Sequence, residues 1–102
     1  MAGQMNTFAD ENIEVAPERA AELIRDDEVQ LVDVREAYEV EAGRLAGSRH
    51  IELERLASQA ETIDRSQPVL FYCRLGARSG MAANAFRRAG YEAVILPEGR
   101  ET

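Results

Sequence analysis

Apolar residues recur along this chain in two periods. Ala20, Ala21, Leu23 and Ile24 fall at helical spacing behind Pro17, which suits a first helical position because its missing N–H would be unsatisfied there. The stripe predicts a helix that ends in the acidic turn Asp26-Asp27-Glu28. Val29 to Val34 is a short Val-rich run closed by Asp33 and Arg35, the signature of a buried strand. A short helix over residues 36–41 is ended by Gly43. A weak strand follows over 48–51, then a helix over 53–63 with Leu56, Ala57, Ala60 and Ile63 turned inward. Ser66-Gln67-Pro68 reads as a turn.

Val69-Leu70-Phe71-Tyr72 is the clearest strand, and it runs straight into Cys73. At least one of Phe71 and Tyr72 must face the core. A helix over 79–89 carries Met81, Ala82, Ala85, Phe86 and Ala89 at helical spacing, with Gly90 as its cap. A last strand covers 93–96, and Pro97-Glu98-Gly99 is a turn. At the other end, Ile13-Glu14-Val15 could add a short edge strand. Residues 1–12 read as a flexible lead-in, and 13–102 as one domain. Strands alternating with helices predict an α/β fold with a mainly parallel sheet. In such sheets ligands bind beyond the carboxyl ends of the strands, where Asp33-Val34-Arg35 and Cys73 to Arg78 both fall.

Composition narrows the chemistry. The chain has 102 residues, 45% of them hydrophobic, enough for one core. Trp is absent, so Val, Leu, Ile and Ala should dominate that core. The formal net charge of -7 argues against nucleic acid and anionic membranes as partners and favours a monomer or weak dimer. It also means that any anion site must be built locally. One Cys and one His leave no intrachain disulfide and no His- or Cys-rich metal site, so no metal is expected. No apolar run reaches membrane length and residues 1–12 lack a signal-peptide pattern, so the expected location is the cytoplasm, where a thiol stays reduced.

The loop after the Cys73 strand is the candidate site. Gly76 can turn where other residues clash. Backbone N–H groups of such a loop can converge into an anion cradle, and the start of the next helix adds unpaired N–H groups and partial positive charge. Arg74 and Arg78 add full charges and forked donors. The thiolate is the reactive form of Cys, and this setting favours it. A lone Cys after a buried strand is often only a small core residue. Gly76, Arg78 and the following helix shift the reading to a reactive one.

Four segments carry a family resemblance: Leu31-Val32-Asp33-Val34-Arg35-Glu36, Gly43-Arg44-Leu45-Ala46-Gly47-Ser48, Val69 through Ser79 with its Cys-x-x-Gly-x-Arg loop, and Ala89-Gly90-Tyr91. In order and spacing the chain resembles a single-domain rhodanese-like sulfurtransferase from about Ile13 to Gly99. The resemblance implies a five-stranded, mainly parallel sheet flanked by helices, with no metal or organic cofactor. It implies that Cys73 takes a sulfane sulfur from a small anionic donor such as thiosulfate and yields it to cyanide, a thiol or a sulfur-accepting protein. The N–H groups of Arg74, Leu75, Gly76, Ala77, Arg78 and Ser79 would stabilise the persulfide, and Arg78 would hold the donor. Departures are plain. Arg44, Ala46 and Ser48 stand where many relatives have His, Pro and Ala, and the closing helix with Trp that often follows the last strand is expected to be absent.

Asp33 and Arg35 read as a supporting ion pair bracing the site, since charged groups at strand ends commonly pair. His50 reads as structural or exposed rather than as a base for Cys73, because the family's strand order puts its strand at the sheet edge. Arg49, Arg55, Arg87 and Arg88 read as surface charges. Two other functions compete. A phosphatase would also use a Cys loop closed by Arg, but with five intervening residues, and here there are four. A persulfide carrier or partner-binding module would use the same fold without turnover.

Overall fold

The computed structural model describes residues 14–73 and 77–97. The lead-in, Ile13, Arg74-Leu75-Gly76 and the chain after Pro97, including the expected absence of a closing helix, lie outside the described residues. Helix α1 spans Pro17–Arg25 and strand β1 Gln30–Asp33. Helix α2 spans Ala37–Ala42, β2 Arg49–His50 and α3 Leu53–Leu56. Strand β3 is Val69–Cys73, helix α4 Ala77–Arg88 and β4 Ala93–Pro97. The four strands pair in parallel in the order β2-β1-β3-β4. The expected fifth strand is instead a single parallel bridge from Glu14 to Ile95, so the described sheet has four strands. One backbone bond from the Val15 N–H to the Ile95 carbonyl (3.0 Å) tethers this segment to β4.

The two central strands explain the layering. Along β3, Val69, Phe71 and Cys73 point to one face, where they pack with Ala82, Ala83 and Phe86 of α4 and with Leu56 and Ile63. Leu70 and Tyr72 point to the other face, against Ala20 and Leu23 of α1. Every residue of β3 is buried, so its side chains form both halves of the core. Each large side chain buried this way contributes about 1.5–3 kcal/mol. The core is aliphatic, as the composition predicts, but Phe71, Phe86 and Tyr91 form a contiguous aromatic group, with ring centroids 5.1 and 4.5 Å apart.

Both long helices end in the same way. At the end of α4, Gly90 has φ 98°. Its N–H bonds the Arg87 carbonyl and the Tyr91 N–H bonds the Phe86 carbonyl, a Schellman closure. At the end of α1, Asp27 takes the corresponding left-handed position at φ 58°. Its N–H bonds Ile24 and the Glu28 N–H bonds Leu23.

Three expectations about helix faces need correcting. Met81 is 63% exposed, Ala85 and Ala89 are exposed too, and the buried stripe of α4 is Ser79, Ala82, Ala83 and Phe86. That stripe is also at helical spacing, but it includes a polar residue and leaves out a large apolar one. Ala21 of α1 is exposed. The helix expected over 53–63 turns into a tighter 3-10 segment after α3, over Ala57–Thr62. Ala57, at the junction of the two segments, is exposed, while Ile63, just past the 3-10 segment, reaches the core. Arg87 is no free surface charge either: its Nε donates to the Ala93 carbonyl (2.7 Å), tying α4 to β4.

Candidate active site

Strand β3 places Cys73 at its carboxyl end, on the face that α4 covers. Cys73 is 1% exposed and Ser79 is fully buried. The Ser79 N–H donates to Cys73 Sγ at 3.2 Å, and the Ser79 Oγ lies 3.0 Å from the same sulfur. The reason lies in helix geometry. The first N–H groups of an α-helix have no acceptor one turn back, so the amide of Ser79, in the first turn of α4, is available to the sulfur. The same terminus carries the positive end of the helix dipole. A burial that would suit an inert thiol is thus combined with a backbone N–H aimed at the sulfur.

Arg78 precedes Ser79 and points elsewhere. Its Nη1 and Nη2 donate to Glu39 Oε1 and Oε2 at 2.7 and 3.0 Å, a bidentate pair. Glu39 Oε1 also accepts the Glu36 N–H (2.8 Å), as part of a capping box that starts α2. Hydrogen bonding from Arg78 is the main cause that holds the Glu39 carboxyl down at about 2. Arg78 is held further in its charged form, first by Glu39 and then by the charges of Cys73 and Glu36.

Asp33 and Arg35 form the second pair, at the end of β1. Arg35 Nε and Nη2 donate to Asp33 Oδ1 and Oδ2 at 2.9 and 2.8 Å, and the Arg35 N–H donates to Oδ1 at 3.0 Å. Both side chains are sealed, with 6% and 0% exposure. Arg35 also donates to the carbonyls of Glu39 (3.4 Å) and Gly43 (2.8 Å), and it lies over the Tyr72 ring at 4.9 Å. It thus holds the C-terminal half of α2, the helix that carries Glu39. His50 Nε2 lies 2.8 Å from the Arg35 carbonyl, and β1 separates its strand from β3. It holds backbone rather than sulfur.

Arg78 also lines a shallow pocket of about 160 Å³ with Val34, Leu53, Glu36, Glu52 and Glu54. The structure thus brings Cys73, Ser79 and Arg78 to one helix terminus and sets Asp33 and Arg35 beneath α2. Arg74, Leu75 and Gly76 lie outside the described residues, and of Ala77 only the backbone, at the start of α4, is described. The sequence reading missed Glu39. Its one local signal is the Glu36-x-x-Glu39 spacing of a capping box. Among the described residues, no group of three His, Cys, Asp or Glu side chains is arranged to hold a metal, and no helix is long and apolar enough to cross a membrane.

Residues 16–101 match the family model described as a rhodanese-like domain. The uncharacterized protein YqhL of Bacillus subtilis is 41% identical over 70 residues, covering 69% of this chain and 56% of that protein. The thiosulfate sulfurtransferase GlpE of Pseudomonas aeruginosa is 33% identical, covering 83% of this chain and 76% of that protein. The putative sulfur carrier protein YrkF of Bacillus subtilis is 30% identical, covering 83% of this chain and 49% of that protein, so this chain spans about half the length of some relatives. Among solved structures, SSP1007 from Staphylococcus saprophyticus superposes with a TM-score of 0.74 at 26% identity, covering 87% of this chain and 88% of that one. The parallel sheet, the cysteine at the end of its central strand and these matches agree: the chain belongs to the rhodanese-like domain family.

Proposed function

We propose that this domain moves sulfane sulfur through a persulfide on Cys73, with thiosulfate as a donor. The Cys73 thiolate attacks the outer sulfur of the donor. The donor's S–S bond breaks, sulfite leaves with the bonding pair, and Cys73 carries the sulfur as a persulfide anion. Cyanide or an acceptor thiolate then attacks that outer sulfur and restores the Cys73 thiolate. Both steps are displacements at sulfur and need no external oxidant. The N–H groups from Arg74 to Ser79 stabilise the negative sulfur, and Arg78 meets the anionic donor.

The observation that carries this reading is the Ser79 N–H donating to Cys73 Sγ at the start of α4, with the Ser79 Oγ 3.0 Å from the same sulfur. Similarity to GlpE supports sulfur transfer as the activity class. The reading places the domain in a reducing compartment such as the cytoplasm. Similarity to YrkF favours one second reading, in which Cys73 holds sulfur for delivery to a protein acceptor. Thiocyanate release from thiosulfate and cyanide separates the two. Sustained turnover by wild type and none by Cys73→Ser supports the enzyme. A single stoichiometric release favours the carrier, and equal release by Cys73→Ser removes Cys73 from the chemistry.

A further inference from the structure

The anion-binding role of Arg78 meets an obstacle in the structure. Its guanidinium does not face the site as a free cation. Glu39 takes two of its N–H groups in a bidentate pair at 2.7 and 3.0 Å. Only 9% of the Glu39 side chain is exposed, against 30% for Arg78, so water screens the pair from the Arg78 side. Glu39 is fixed in place by the Glu36 N–H and by Arg35, which holds the backbone of α2. The carboxylate is therefore part of the scaffold rather than a mobile surface group. Around Arg78, the pocket wall adds Glu36, Glu52 and Glu54. Among the described residues, a sulfur donor approaching Arg78 meets a neutralised cation in an acidic rim.

We propose that Glu39 is a specificity-determining residue: by pairing with Arg78 it cancels the charge of the loop's closing guanidinium, so that the site discriminates against a doubly negative sulfur donor in favour of a singly negative one. The inference rests on the sulfur-transfer reading and deepens it. A guanidinium has five N–H groups, so Arg78 can still donate hydrogen bonds to a donor's oxygens while it is paired. What it lacks is the net charge that would draw in a dianion. The chemistry at sulfur is unchanged. The Cys73 thiolate attacks the outer sulfur, the S–S bond breaks, and the leaving group departs with the electron pair as sulfite from thiosulfate or as a sulfinate from a thiosulfonate.

Thiosulfate and methanethiosulfonate form a matched pair of probes, since one methyl replaces one anionic oxygen. Glu39→Gln keeps an oxygen to accept the Glu36 N–H and removes the charge. Loss of one unit charge about 6 Å from the donor in a water-like medium should raise kcat/KM about tenfold for the dianion and about threefold for the monoanion. The change should sit in KM, and the thiosulfate-to-thiosulfonate ratio should move about threefold towards thiosulfate. A purely structural role for Glu39 would lower both donors together and leave the ratio unmoved. A ratio that stays fixed, or moves towards methanethiosulfonate, overturns the inference.

The wild-type protein supplies a second readout that does not depend on the variant's folding. Raising salt shortens the Debye length from about 30 Å at 0.01 M to about 3 Å at 1 M. Repulsion by the carboxylates around Arg78 predicts that the thiosulfate KM falls over this range, and a KM that stays fixed or rises overturns the inference. If wild type loads no sulfur on Cys73 from either donor, the sulfur-transfer reading itself fails. Loading with a fixed donor ratio leaves that reading standing and removes only the role of Glu39.

Discussion

Two arginine–carboxylate pairs flank helix α2, and they differ in what surrounds them. Asp33–Arg35 is sealed, stacked on Tyr72 and tied to the backbone of the C-terminal half of α2. Glu39–Arg78 joins α2 to the first turn of α4 and leaves its cation partly open beside a pocket. The first pair cannot meet a ligand, so its role is to set where α2 lies. The second is positioned by the first and meets the solvent from which a donor arrives. The same chemistry thus serves as a brace in one place and as a charge filter in the other, and burial decides which.

The comparison can be broken most severely at Asp33. Asp33→Ala leaves the Arg35 charge buried without its carboxylate and should cost about 3–5 kcal/mol, read from the urea midpoint. A loss below about 1 kcal/mol would mean that the pair is no brace. Arg78→Ala should do the reverse. Stability should change by about 1 kcal/mol or less, as for a partly exposed pair, while kcat/KM for thiosulfate falls about 10- to 100-fold. An active Arg78→Ala would remove the residue from donor binding.

Smaller effects sharpen the contrast. His50→Ala loses one hydrogen bond to the Arg35 carbonyl and should cost about 0.5–1.5 kcal/mol. Its thiocyanate release should stay at the wild-type rate, and a large fall would bring His50 into the chemistry. The gentlest probe is acid. Glu39 has its carboxyl lowered from 4.5 to about 2, chiefly by Arg78. A lowered folded value means that its contribution to stability is complete above about pH 4.5 and is lost as pH falls through about 2. The stability gap between wild type and Glu39→Gln should therefore narrow across that window, and a constant gap would contradict the pairing.

The strand-to-helix setting of Cys73 was legible because its signals are local: an apolar run, a Gly, an Arg and a helical stripe within 20 residues. The pairing of Asp33 with Arg35 was legible for the same reason. Glu39 was not, because its partner lies 39 residues away and meets it only once β1 and β3 have paired. The phase of α4 was misread because hydrophobicity favours Met81, whereas contact with the Cys73 sulfur and close approach to β3 favour Ser79, Ala82 and Ala83. Among the described residues, the expected fifth strand reduces to one bridge from Glu14 to β4. Edge pairing of that kind depends on what the neighbouring strand leaves open, not on the three residues themselves.

Intact-mass measurement after incubation with thiosulfate reads directly whether Cys73 itself carries the sulfur. Wild type should gain one sulfur atom and lose it to cyanide with release of thiocyanate, and Cys73→Ser should gain none. An unchanged wild-type mass, or the same gain on Cys73→Ser, would contradict that role of Cys73.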